Sequence, residues 1–253
     1  MLVTGVLSGL GKAVHERFGG KGLVLTRSKR EQELEEVRGA GVDVIVHCAA
    51  NTAQDLGTDG LHHYFEDNVL LTGRLAGLPH RKFVLISSVD VYPASPELHR
   101  EDEALSAEAP RTLYATSKLL AESVVRERCP DHLILRCSAL LGKHSRKNSL
   151  IRMLEDSPCK LTLSGDSEMN YVLHDDVLGF LDSALERDFS GIYNAASAGN
   201  VTLSDVAALF GKEVSFGDFR YDAGRVDNGK AVAAWPGFRK SSRQVVSEFA
   251  AER

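Results

Sequence analysis

Short aliphatic runs and longer mixed stretches take turns along the first half of the chain. Met1–Thr4, Gly22–Thr26, Val42–Cys48, Lys82–Ser87 and His132–Cys137 are largely continuous apolar runs of strand length. Such runs, without a polar residue at every second place, fit strands covered on both faces of a parallel sheet. Between them, helices are predicted over Leu10–Phe18, Glu31–Arg38, Gly60–Ala76 and Pro110–Arg128, with Pro110 in a first helical turn and Pro130 as a stop. Repeated strand–helix alternation predicts an α/β fold, a doubly wound parallel Rossmann sheet.

The rhythm changes after Gly142. A basic polar loop, Lys143–Asn148, precedes a predicted helix from Ser149, short strands near Leu161 and Tyr171, and a helix from Asp175. Gly191–Ala195 reads as one more sheet strand and Thr202–Phe210 as a helix. The predicted organisation is a dinucleotide-binding domain over residues 1–142. Residues 143–253 form mostly a small substrate-binding lobe, with residues 175–195 returning to the sheet. A doubly wound sheet places its ligand outside the carboxyl ends of its strands, where such a lobe would lie.

The turn after the first strand, Thr4-Gly5-Val6-Leu7-Ser8-Gly9-Leu10-Gly11, has the composition of a phosphate cradle. Gly5 permits a tight turn, Gly9 lets backbone approach a diphosphate, and Gly11 allows close helix–strand packing. Leu7, Ser8 and Leu10 complete the turn, and the helix start offers oriented N–H groups. The second strand ends in Thr26-Arg27-Ser28-Lys29-Arg30, with no acid before Glu31. A cation there favours the 2′-phosphate of NADP, and Arg27 has the planar fork for it, so NADP is expected ahead of NAD. Lys12 is a second candidate cation.

Tyr114 and Lys118 stand four apart on one predicted helix, hence on one face. A nearby ammonium favours the phenolate and brings a tyrosine into the working range of an acid/base catalyst. Ser87 and Ser88 end the Lys82–Ser87 strand, and Ser88 is placed to hydrogen-bond the oxygen with which Tyr114 exchanges a proton. The candidate catalytic set is Ser88, Tyr114 and Lys118.

With these motifs in order, the chain resembles the extended branch of the short-chain dehydrogenase/reductase superfamily, the NAD-dependent epimerase/dehydratase family. The resemblance rests on Thr4–Gly11, Val44–Ala50, Asn68-Val69, Ser87–Tyr92, Tyr114–Lys118 and Val172–Val177. It implies a Tyr-Lys-Ser oxidoreductase or epimerase acting by hydride transfer on a nucleotide sugar or a related carbonyl compound, and a homodimer through the Gly60–Ala76 and Pro110–Arg128 helices. It also implies that Ala49, Ala50, Asn68 and Lys118 contact the cofactor, and that Ser88, Asp90, Tyr114 and Asn148 face the substrate. Asp90 falls where sugar dehydratases carry a glutamate. Val89 replaces the acid that precedes it there, so Asp90 is read as a substrate-binding or loop-orienting carboxylate. Three departures are visible: Ser8 stands at a usual glycine, only about fifteen residues separate Arg27 from the next strand, which shortens the third βα unit, and the lobe is short, with Asn170 where an arginine is common. The alternative reading is a dinucleotide-binding regulatory or scaffold protein without turnover.

Composition narrows the field further. With 43% hydrophobic and 26% charged residues and a net charge of -5, neither nucleic acid nor an anionic membrane is an expected partner. The basic run Lys143–Lys147 has no interleaved aromatics to stack bases. Four cysteines without a CxxC pair, no apolar run of membrane-spanning length and no leader pattern predict free thiols in a cytoplasmic protein. His62 and His63, adjacent on a helix, are read as surface residues unable to share a metal, and Asp175 as a helix N-cap.

Overall fold

The computed structural model describes residues 1–24, 30–53, 56–106 and 112–253. The first half runs β1 (Leu2–Thr4), α1 (Gly9–Phe18), β2 (Lys21–Leu23), α2 (Arg30–Ala40), β3 (Val44–His47), α3 (Gly57–Phe65), α4 (Leu71–Ala76), β4 (Lys82–Ser88), α5 (Leu113–Arg128) and β5 (His132–Cys137). Then come β6 (Ala139–Leu141), α6 (Ser149–Glu155), β7 (Tyr171–Leu173), α7 (His174–Glu186), β8 (Gly191–Ala195), α8 (Leu203–Leu209), α9 (Gly229–Ala234) and α10 (Ser242–Ala251), with two-residue strands between some of them.

Six of these strands form one parallel sheet in the order β2-β1-β3-β4-β5-β8. Side chains alternate across it. Val3, Val46, Val84 and Leu135 face α1 and α7, meeting Val14 and Phe180. Leu2, Ile45, Leu85 and Ile134 face the other way, onto Leu34 of α2, Leu75 of α4 and Val125 of α5. A sheet buried on both faces explains its unbroken aliphatic runs. The chain reverses its direction of winding between β1 and β3, which puts the ligand crevice at their carboxyl ends. β2 is the sheet edge among the described residues. The chain passes from α2 directly to β3, so the third βα unit is absent there, as the short spacing predicts.

A second core, with Leu141, Leu150, Tyr171, Val206 and Val246, lies beyond the sheet, where β6 pairs in parallel with β7. α7 and β8 pack into the sheet's own core, β8 alongside β5.

Several predicted boundaries move. β2 stops at Leu23, with Leu25 and Thr26 outside the described residues. The helix from Gly60 begins at Gly57 and passes through a π turn at Glu66–Leu70. α5 begins at Leu113, because the Thr112 hydroxyl accepts from the Ala115 amide at 3.1 Å and caps it; Pro110 lies outside the described residues. α7 begins at His174, with Leu173 at its N-cap. Asp175 is thus a first-turn carboxylate favoured by the helix dipole, not the cap.

One buried ion pair joins α5 to the sheet. Arg136 on β5 and Glu122 on α5 have side chains only 2% exposed, and Arg136 Nη2 donates to Glu122 Oε2 at 2.7 Å. Ser87 Oγ donates to Glu122 Oε1 at 2.5 Å, and Arg136 Nη1 donates to the Tyr92 hydroxyl at 2.9 Å. Removing one partner strands a desolvated charge, so Glu122→Gln is expected to cost about 3–5 kcal/mol in urea unfolding. The double variant Glu122→Leu/Arg136→Met should lose less than the sum of the two single losses.

Candidate active site

The crevice at the ends of β1 and β3 is a cavity of about 410 Å³. Gly5, Gly9 and Gly11 line it with Ala49, Ala50, Ser88, Asp90, Tyr114, Lys118 and Asn148. A second hollow of about 380 Å³, bounded by Leu7, Leu23, Arg30, Asn51 and Asp67, shares Gly5, Ser8, Ala49 and Ala50 with it. The two open to either side of the glycine turn.

Sterics explain the turn. Gly5 has φ +76°, and a Cβ on it would meet the Ala49 amide nitrogen at 2.9 Å. A Cβ on Gly11 would lie 2.5 Å from the Gly5 carbonyl oxygen, so α1 sits on the strand end only because Gly11 has no side chain. At Gly9 nothing lies within 4 Å of the Cβ position. The turn leaves room where backbone could approach a ligand, and first-turn amides such as those of Leu10 and Gly11 have no acceptor within the helix. These residues fit a dinucleotide diphosphate. Leu7, 71% exposed, stands at the rim of the second hollow.

On the opposite wall, Lys118 is buried, and its Nζ donates to the Ile86 carbonyl at 2.7 Å, 5.8 Å from the Tyr114 ring centre. Burial lowers the Lys118 ammonium to about 8. Burial, with the Asp90 carboxylate nearby, pushes the Tyr114 hydroxyl well above its ordinary value, against a hydrogen bond with Ser88. Ser88 Oγ donates to Asp90 Oδ2 at 3.1 Å and accepts from the Asp90 amide at 3.2 Å, which starts a 3-10 turn. Cys48 and Cys137 also line this wall, and burial pushes both thiols up to about 12. Tyr114, Ser88 and Lys118 thus meet in one cleft beside the glycine turn.

Two predicted contacts sit differently. Asn68 is buried in the π turn and lines neither hollow. Its Oδ1 accepts from the Asn51 amide at 2.7 Å, while its Nδ2 donates to the Asn51 carbonyl at 2.9 Å and to Ser117 Oγ at 3.1 Å. It fixes the loop carrying Ala49 and Ala50 rather than facing the cleft. Asn148 lines the cleft, but its Oδ1 accepts from the Ile151 amide at 3.0 Å as the cap of α6. Arg27 lies outside the described residues.

Three residues were not singled out as site residues from the sequence. Tyr221, from the lobe, donates its hydroxyl to Asp90 Oδ1 at 2.7 Å. Arg30, 2% exposed, pairs with Asp67 at 2.7 Å and Glu66 at 3.4 Å in the second hollow. Arg146 reaches from the basic loop into both hollows. The charged runs containing Arg30 and Arg146 were visible, but nothing local marks Tyr221. Lys12 lines neither hollow. The separation of His62 from His63 is also corrected. Ligand atoms of His62, His63 and Glu66 all lie within 4.8 Å of one another, because side-chain rotation overcomes the divergence of adjacent Cα–Cβ bonds.

The sheet order, glycine turn and Tyr–Lys helix define a short-chain dehydrogenase/reductase type of Rossmann fold. The chain belongs to the NAD dependent epimerase/dehydratase family, whose model matches residues 1–196. Its sequence is 27% identical over 195 residues to dTDP-4-dehydrorhamnose reductase of Escherichia coli (strain K12), a match spanning 74% of this chain and 64% of that protein. Its fold is similar to dTDP-4-dehydrorhamnose reductase of Bacillus anthracis str. Ames, solved in complex with NADP (TM-score 0.78, 18% identity, 100% of this chain and 98% of that one). It is also similar to UDP-glucuronic acid 4-epimerase of Bacillus cereus, solved with UDP-glucuronic acid and NAD (TM-score 0.74, 17% identity, 99% and 98%). A third similar fold is ADP-L-glycero-D-manno-heptose-6-epimerase of Helicobacter pylori (TM-score 0.80, 14% identity, 99% and 95%). No helix among the described residues is long and apolar enough to cross a membrane.

Because Gly11 meets backbone rather than a flexible side chain, Gly11→Ala is expected to lower stability by about 1–3 kcal/mol, read as a drop in thermal midpoint.

Proposed function

We infer that this protein is an NAD(P)-dependent reductase of a carbonyl group on a nucleotide-linked sugar. The observation that carries the reading is the meeting of Tyr114, Ser88 and Lys118 in one cleft with the glycine turn, where a side chain's space stands open at Gly9. A bound reduced nicotinamide supplies the hydride. Tyr114 gives its proton to the carbonyl oxygen, and Ser88 hydrogen-bonds the same oxygen. Lys118, when protonated, stabilises the phenolate left on Tyr114. The raised Tyr114 hydroxyl keeps its proton at neutral pH, as an acid for reduction must.

Asp90 takes the part of a substrate-facing carboxylate held by Tyr221. It accepts from Ser88 on one oxygen and from Tyr221 on the other, which links the lobe to the reacting atoms. Asn148 faces the substrate from the start of α6. We assign the homodimer to α3, α4 and α5, where Leu61 of α3, Leu70 of the π turn between α3 and α4, and Leu120 of α5 are exposed.

One observation favours an epimerase with bound NAD instead. We place the adenosine of the dinucleotide in the second hollow, where Arg30 is already matched by Asp67 and Glu66, which leaves it less charge for a 2′-phosphate. The experiment is fluorescence titration with NADPH and NADH, then a turnover assay on nucleotide-linked keto-sugars. Preferred binding of NADPH with its consumption supports the reductase. Nicotinamide released only on denaturation supports the epimerase, and binding of neither dinucleotide overturns both.

Tyr114→Phe is expected to reduce turnover about 10²–10⁴-fold at unchanged dinucleotide affinity. A non-catalytic binding protein would have no turnover to lose. Tyr221→Phe, which removes a hydrogen bond to a charged group, should lower kcat/KM for the sugar about tenfold and leave dinucleotide affinity alone.

A further inference from the structure

The segment from Gly142 to Asn148 follows β6 and crosses beside the glycine turn to reach α6. It is pinned at both ends. The Gly9 amide donates to the His144 carbonyl at 2.8 Å, and His144 Nε2 pairs with Glu16 Oε2 on α1 at 2.6 Å. Further on, Lys147 pairs with Asp156 at 2.6 Å and Asn148 caps α6. Arg146 lies between these pins. Its Nε is 3.3 Å from Ser8 Oγ in the turn after β1, and its Nη1 is 3.2 Å from Thr52 Oγ1 in the loop after β3.

That placement bridges the two loops whose reversal creates the crevice, and Arg146 lines both hollows. Its partners are neutral hydroxyls. Among the described residues no carboxylate pairs with it, whereas Arg17 has one and Arg30 and Lys147 have two each. A guanidinium held only by hydroxyls keeps its charge available, and its planar fork matches phosphate oxygens. Helix-terminal amides bring only partial positive charge to a diphosphate.

We propose that Arg146 is the diphosphate ligand of the bound dinucleotide, closing over it from the lobe side while the amides at the start of α1 hold it from below. The proposal rests on the dinucleotide reading above. The diphosphate is common to NADH and NADPH, so the contribution of Arg146 is the same for both. Arg30 and the stretch after β2 are left to discriminate between them.

The test compares wild type, Arg146→Ala, Arg146→Lys and Lys143→Ala by fluorescence titration with NADH and with NADPH, with thermal unfolding as a check on folding. Lys143 belongs to the same basic run but lines neither hollow, so Lys143→Ala removes equal charge without the contact. Arg146→Ala is expected to weaken both dinucleotides about 10- to 100-fold. Arg146→Lys should lose less, and Lys143→Ala should stay within about twofold of wild type. Unchanged binding in Arg146→Ala, an equal loss in Lys143→Ala, or a loss confined to NADPH overturns the proposal while the dinucleotide reading stands. Failure of the wild type to bind either dinucleotide overturns both.

Discussion

The constraint on which the site depends is the buried pair of Arg136 and Glu122. An ion pair this enclosed must replace the water lost by both groups. Here it does so with further hydrogen bonds: Ser87 to Glu122, Arg136 to Tyr92, and Tyr92 onward to Asn194 Oδ1 at 2.8 Å. Ser87 precedes Ser88, and Glu122 follows Lys118 by one helical turn and Tyr114 by two. The pair therefore fixes the rotation of α5 about its axis and its height against β4. Those two quantities decide whether Tyr114 meets Ser88. Hydrophobic packing alone, which is non-directional, would hold α5 on the sheet without setting that register so tightly.

What was legible in the sequence follows from how local each signal is. Parallel strands covered on both faces must be apolar throughout, so β1, β3, β4 and β5 announce themselves. The glycine turn and the Tyr114–Lys118 spacing lie within eight and five residues. Helix starts were less legible because the local residue preference did not fix them: a Thr112 cap begins α5, and α7 begins after Leu173 with no side-chain cap, although Pro110 and Asp175 carry the stronger residue preference. The contact between Tyr221 and Asp90 spans 131 residues, and no local pattern encodes it. Asn68 was legible as a site residue but not in its role. Only the fold shows that a π turn buries its amide against Asn51.

The hollow beside β2 illustrates the same division. The short spacing after β2 revealed a missing βα unit but not what takes its place. With β2 at the edge, the start of α2 closes that side, and Arg30 is buried there. A buried guanidinium without partners would be costly, and Glu66 and Asp67 from the π turn supply them. Asn51 Nδ2 also donates to Asp67 Oδ2 at 3.1 Å, so one carboxylate holds both α2 and the loop after β3. An ion cluster thus joins elements that a further strand and its crossover would otherwise help to enclose.

The two central titrating groups are shifted in a common sense. Burial pushes the Tyr114 hydroxyl up and the Lys118 ammonium down, each toward its neutral form. Burial therefore favours a proton on the tyrosine and weakens the ammonium that would stabilise its phenolate. In the proposed reduction this is a suitable starting state, since the phenol has to lose its proton only as negative charge grows on the carbonyl oxygen. In the reverse direction the phenolate has to exist first. Its stabilisation would then require positive charge brought by the oxidised nicotinamide as well as by Lys118. Asp90 accentuates the asymmetry, because a carboxylate beside the phenol opposes phenolate formation. With the lobe's Tyr221 hydrogen-bonded to that carboxylate, any ligand that moves Tyr221 also changes how strongly Tyr114 holds its proton.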